Sequence, residues 1–283
     1  VGAMPLCGAV AGSRMWDGSV DLRLIYDVIA EGMPGAAIPG GAEGLQEDSN
    51  LTEIGLGFAV NAATGILLPE GSRSPQQQAN LDKILQVTGL PESFLLTDMW
   101  FSTFGLSDLV HDPLKLGGVI AVGNAGVDYD DLDIDSAIQR VSPDPVSNNR
   151  FGKNYIPSGQ VGDIKIVQLH TDKDGLVIVE NAGEYAQIVP AANLTTAIVV
   201  EEEPTHCGFT DAEVVATWQS LEAWVAGGSQ PGAAAIQAAC QNLPSEYPGP
   251  CRIDPNFEIP DMDGRIRPRT RWQVLFQPDM LRP

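Results

Sequence analysis

Two short stretches hold residues whose types and spacing suit proton transfer. The segment "TDKDGLV" puts Asp172 and Asp174 just after the apolar run "IKIVQLH", and "PTHCGFT" puts His206 just after "TTAIVVEEE". In parallel α/β sheets the loops that follow strands line the ligand-binding edge. An acid after one strand and a histidine after the next is the arrangement in which a carboxylate orients an imidazole, so that the ring can take a proton from a hydroxyl. One helix and one strand fit between Asp174 and His206, so the pair is geometrically open, with Asp172 as the fallback acid. Cys207, beside His206, offers a metal ligand or a thiol nucleophile instead. On an extended backbone adjacent side chains point apart, no second cluster supplies ligands, and consecutive His and Cys do not easily form a dyad. Taken alone, His206 is a histidine in a strand-to-helix turn.

The elements that must hold these residues follow from hydrophobic periodicity. "IKIVQLH" and "LTTAIVVEEE" have the length and apolar content of buried strands, while "VENAGEYAQIV" and "TDAEVVATWQSLEAWVAG" have helical spacing. Strand, helix, strand, helix predicts parallel strands with right-handed crossovers, hence an α/β fold. The opening run "VGAMPLCGAVAG" has the character of a further buried strand entering a small-residue turn. Between residues 20 and 115, "DLRLIYDVIAE", "QQQANLDKILQVTG" and "SFLLTDMWFSTFGLSDLVH" carry apolar residues at helical spacing, separated by Gly/Pro-rich breaks. Phe94, Trp100, Phe101 and Phe104 lie in the last of these, at the spacing any packed helix shows. The stretch "VDYDDLDIDSAIQRV", from Asp128 onward, lacks the Gly and closing Glu of a calcium loop and reads as an acidic helix start. The residues from 231 to 283 look irregular, and the arginines of "RIRPRTR" alternate as in a packed, salt-bridged tail.

Composition limits what such a fold could do. A formal charge of −21, with 16 Lys and Arg, argues against nucleic-acid partners, which need a cationic surface. No apolar run reaches the ~20 residues that span a bilayer. Cys240 and Cys251 bracket the Pro/Gly-rich "QNLPSEYPGP", which suits a local disulfide and an oxidising, secreted or periplasmic setting. The start on "VGAMPLCGAVAG" is abrupt, like the middle of a longer gene product.

With these elements in place, the chain resembles the C-terminal part of an α/β-hydrolase-fold esterase. "IVQLHTDKDGLVIVENAGEYA" is similar to the strand, acid loop and helix that hold the triad acid, and "THCGFTDAEVVATWQSLEAWVAGG" resembles the base loop and final helix. "GAMPLCGAVAG" looks like the strand after the nucleophile helix in secreted bacterial members, and "NYIPSG" like the return from their cap. The resemblance implies a hydrolase core over residues 1–15 and 160–230, a mainly helical lid over 16–159 that shapes an acyl or aryl pocket, and a C-terminal tail over 231–283. It implies Asp174 as triad acid, with "DGLV" matching the family's D-x-x-V turn, and His206 as triad base, with no metal or organic cofactor. The His-Cys pair is also similar to that of the tannase and feruloyl esterase group, where this cysteine forms a disulfide near the nucleophile. Outside the tail only Cys7 is available, which implies a Cys7–Cys207 bond.

One element of the family pattern is missing. No G-x-S-x-G occurs, and Ser13, Ser158 and Ser229 lack the strand–turn–helix setting of a nucleophile elbow. The expectation is a companion polypeptide, such as one released from the same precursor, that supplies the serine, the oxyanion hole and further strands for a small-molecule ester substrate. The alternatives are a non-catalytic assembly subunit that retains the fold, or a peptidase or amidase on it.

Overall fold

The computed structural model describes residues 1–155 and 157–269. Ile156 of "NYIPSG" and Arg271 of "RIRPRTR" lie outside them. The chain divides into two compact units, one of Val1–Ala11 and Pro157–Met262, the other of the described residues within Gly12–Ile156 and Asp263–Pro283.

The first unit is α/β. Strand β1 (Gly2–Ala3) pairs with a long central strand and is extended by a bridge from Leu6 to Leu169. The second unit then intervenes with α1 (Ser13–Ala30), α2 (Glu53–Thr64), α3 (Pro75–Thr88), α4 (Leu95–Trp100), α5 (Leu106–His111), α6 (Leu132–Ala137) and α7 (Pro145–Tyr155). The chain returns through β2 (Lys165–Thr171), α8 (Glu180–Ile188), β3 (Leu194–Val199), α9 (Asp211–Val225), α10 (Ala233–Gln241) and, at the boundary, α11 (Met262–Arg265). The strands are all parallel, in the order β1-β2-β3, with Ile166 opposite Leu194 and Thr171 opposite Val199.

Alternation along β2 and β3 explains how both faces are covered. Val167, Leu169, Ala197 and Val199 point to a cluster with Ala212, Ala216, Leu221 and Trp224 of α9 and Ile236 and Cys240 of α10. Ile166 and Leu194 face the other way onto Val189, and Ile198 onto Val179 and Ala182. Two-sided burial is what a parallel sheet requires.

Residues 231–262 are irregular over much of their length, as their proline content suggests, but they open on a helix. The Ala-rich run 233–241 forms α10, because alanine is the best intrinsic helix former, and packs Ile236 and Cys240 into the sheet's core. Beyond it, Ile253 bridges antiparallel to Val199, so this segment covers the outer side of β3 and belongs with the sheet.

The helical unit buries Leu24, Ile25, Leu56, Val60, Leu81, Ile84, Leu95, Met99 and Leu106 in one core. Ser74 and Gln77 form a capping box that starts α3 behind Pro75, and Gly65 and Gly89 end α2 and α3 in the left-handed conformation. Helices α4 and α5 are joined through a single π turn, Phe101–Gly105, without leaving the helical path. Trp100 and Phe104 pack against this core, whereas Phe101 is 36% exposed. Two of the four aromatics are thus the unit's own packing. The aspartates after Asp128 act as caps: Asp131 accepts from the N–H groups of Asp133 and Ile134 and pairs with Lys83, and Asp135 pairs with Arg140.

The arginine tail is packed and salt-bridged. Arg267 donates to the carbonyls of Val87 and Tyr129 at 2.8 and 2.7 Å. Arg269 is buried, donates to Asp21 Oδ1 at 2.5 Å and lies 3.7 Å from Asp17 Oδ1. Tyr129 also donates to Asp21, at 2.6 Å. Burial pushes the Asp21 carboxyl above its ordinary range, against the opposing pull of Arg269 and Tyr129. Removing the guanidinium would take the cationic partner from the buried Asp21 carboxyl. Arg269→Met should therefore cost about 3–5 kcal/mol in urea unfolding, and adding Asp21→Asn should recover part of that loss. Equal loss in the single and double variants would show that the carboxyl at position 21 is not what Arg269 compensates.

Candidate active site

The turn after β2 is built by its own acid. Asp174 Oδ1 accepts from the backbone N–H groups of Leu176 at 2.9 Å and Val177 at 2.8 Å, the Asx-turn geometry that explains the D-x-x-V pattern. The same carboxylate then reaches the loop after β3. His206 Nδ1 donates to Asp174 Oδ2 at 2.9 Å and lies 3.1 Å from Oδ1, and the Cys207 N–H points at Oδ2 from 3.3 Å. The Asp174 side chain has no exposure, whereas that of His206 is 42% exposed. A ring whose Nδ1–H is committed to a buried carboxylate keeps its Nε2 lone pair free, which is the tautomer a general base needs.

Asp172 does not compete for the histidine. Its Oδ1 accepts the N–H of Glu201 at 2.8 Å and joins the two loops at their roots. Asp174 is the one that meets His206, because its turn brings the carboxylate back over the loop after β3.

Cys207 is bonded to Cys7, with the Cα atoms 5.8 Å apart. Both half-cystines have positive φ, 43° at Cys7 and 53° at Cys207, a conformation that non-glycine residues rarely adopt. The left-handed turn at Cys207 breaks the alternation of an extended chain, so the His206 ring and Cys207 Sγ approach within 3.6 Å rather than diverging. Sequential adjacency therefore does not exclude contact; the disulfide is what removes thiol chemistry. The sulfurs of Cys7 and Cys207 and the Asp174 carboxylate lie within 4.8 Å of one another. Bonded to each other, the sulfurs are not the thiolates that a metal would require. Cys240 and Cys251 form the second disulfide.

The serines singled out from the sequence differ in their surroundings. Ser158 and Ser229 are exposed. Ser13 is fully buried at the start of α1, in the helical unit, and its hydroxyl has no hydrogen-bond partner among the described residues.

Sequence reasoning passed over His170, at the carboxyl end of β2. It is 1% exposed, and its Nδ1 donates to the Thr171 carbonyl at 3.0 Å, leaving Nε2 buried without a partner among the described residues. A titratable residue at the end of a largely buried strand was the available signal. Glu213 and Arg252 were also passed over. "TDAE" carries the capping-box spacing of Thr210 and Glu213, but nothing local points from there to Arg252.

No family model, no curated protein and no solved structure matches the chain. No helix among the described residues is long and apolar enough to cross a membrane.

Burial holds the His170 ring below its ordinary pKa, with the Thr171 carbonyl and Asp174 opposing and His206 adding to the effect. The unfolded chain binds a proton there below about pH 6.5, while the folded chain resists it, so acid favours unfolding. Thermal midpoints should fall as pH drops from 7 to 5.5. His170→Asn, whose amide can still donate to Thr171, should flatten that slope; an unchanged slope would assign it to other groups.

Proposed function

We propose that this chain carries the acid and base of a serine carboxylic-ester hydrolase of the α/β-hydrolase type. The observation that supports this reading best is the Asp174–His206 pair: a buried carboxylate on the loop after one parallel strand, bonded to Nδ1 of a half-exposed imidazole on the loop after the next. In this reading the attacking serine and the oxyanion donors come from an upstream or companion segment, since no G-x-S-x-G occurs in the chain. β1 has no strand on its outer side among the described residues, and Val1 and Leu6, which flank it, are exposed, which suits extension of the sheet there. The helical unit is the counterpart of a lid.

The chemistry follows from the tautomer. His206 Nε2 takes the proton of the serine hydroxyl as its oxygen attacks the ester carbonyl, and Asp174 stabilises the imidazolium that forms. The ring returns the proton to the leaving alcohol, and a second cycle with water releases the acid. Two disulfides suit a secreted or periplasmic site of action.

A second reading is a non-catalytic assembly subunit, favoured by the lack of a G-x-S-x-G elbow in the chain and by the burial of Ser13. A serine-directed phosphonate applied to the natural preparation separates the two. Labelling of a co-purifying polypeptide is expected; a complex with no labelled component would favour the assembly role. In the active complex, His206→Ala and Asp174→Asn should each lower kcat by on the order of 10³-fold or more while the chain stays folded. Near-normal turnover in either variant would remove that residue from the mechanism.

A further inference from the structure

We infer that Arg252 is a positioning residue for His206, and that the disulfide-closed segment before it serves to hold it there. The catalytic consequence rests on the reading of His206 as a general base; the positioning itself does not.

The guanidinium joins the Gly208 carbonyl of the base loop to Glu213 in the first turn of α9. Its Nε donates to Glu213 Oε1 at 3.1 Å and one terminal nitrogen to Glu213 Oε2 at 2.8 Å, while that nitrogen also donates to the Gly208 carbonyl at 2.7 Å. The backbone N–H of Arg252 adds a bond to Glu213 Oε1 at 2.8 Å. Glu213 is fully buried and accepts the Thr210 N–H at 2.8 Å, which closes the start of α9. Helix capping would need only Thr210 and Glu213. The bond to Gly208 goes further, to a carbonyl two residues after His206.

Gly208 sits where this matters. A Cβ there would meet Thr205 Oγ1 at 2.1 Å and Glu201 Oε1 at 2.2 Å, so the loop is folded tightly on itself around His206. Its neighbour Cys207 holds the disulfide and points its N–H at Asp174. Asp174, Cys7 and Arg252 therefore grip three consecutive residues, His206, Cys207 and Gly208.

Arg252 is itself placed from outside the loop. Its carbonyl accepts the N–H of Val200, Asp254 donates to the Ile198 carbonyl, and Ile253 bridges Val199, so the segment lies along the edge of β3. Cys251 is tied to α10 through Cys240, and Thr210 donates to the Pro250 carbonyl at 3.1 Å. A planar fork is needed to serve a carboxylate and a carbonyl at once, which the single ammonium of lysine does less well.

The test compares Arg252→Met and Arg252→Lys in the full, disulfide-bonded chain by amide hydrogen exchange and by ¹⁵N spectra of the imidazoles, which are simple because the chain has three histidines. In Arg252→Met the amides of Cys207 and Phe209 should exchange about tenfold faster or more. The Leu169 amide in the sheet should be unaffected, and the His206 ring should lose its single Nδ1–H tautomer. Arg252→Lys keeps a charge for Glu213 and is the variant expected to fold in any case; it should loosen the same loop amides and leave the start of α9 protected. Loop exchange and the His206 tautomer unchanged in Arg252→Lys, and in Arg252→Met where that variant folds, would overturn the proposal. Both readings are made without substrate, so they are decided separately from the phosphonate labelling that tests the hydrolase reading.

Discussion

A buried carboxylate must have its oxygens satisfied, and Asp174 meets that demand with groups from two different loops. Two of its donors, the N–H groups of Leu176 and Val177, come from its own turn; the others, the His206 ring and the Cys207 N–H, come from the loop after the neighbouring strand. The parallel pairing of β2 with β3 makes this possible, because it delivers both loops to the same end of the sheet in register. Asp172 reinforces the arrangement from below through Glu201. If the register slipped by one residue, the two loops would no longer converge and the carboxylate would be left buried without its ring.

The strands and helices around the site were legible because their signals are local. Apolar runs bounded by turns marked β2 and β3, and the acid and histidine following them marked the pair. Choosing Asp174 over Asp172 depended on the D-G-L-V turn, and the Asx bonds to Leu176 and Val177 give that pattern its physical meaning. What stayed hidden depends on contacts between distant residues. Proline content obscured α10, although "AAAIQAACQ" has high helix propensity once the prolines are seen to flank it. Arg252 could not be linked to Gly208 and Glu213 from sequence, since that contact needs α10, a disulfide and an antiparallel bridge to be in place first. The approach of Cys207 to the His206 ring was likewise unreadable, because it follows from a positive φ at a residue type that seldom adopts one.

The two units handle buried acids by the same device. In the helical unit Arg269 answers Asp17 and Asp21, and in the α/β unit Arg252 answers Glu213. Each arginine comes from late in the chain and meets an acid on a helix that precedes it, so the final segments secure charge already committed to the interior. In a chain with a formal charge of −21, its few cations are worth most where a carboxylate is dehydrated, since exposed pairs contribute little.

Restraint of the base loop also explains why so many constraints meet on three residues. A half-exposed histidine on a loop would ordinarily sample several rotamers and backbone states, and the proposed proton transfer requires one of them. Asp174 selects the ring's orientation and tautomer, while the Cys7–Cys207 bond holds the backbone just after it in a left-handed turn that it would not favour alone. Neither restraint reaches the far side of the loop, where Gly208 has lost the stiffness that a side chain would confer. The Arg252 fork supplies it there from a frame outside the loop, so the geometry of the imidazole depends on a segment more than a helix away in sequence.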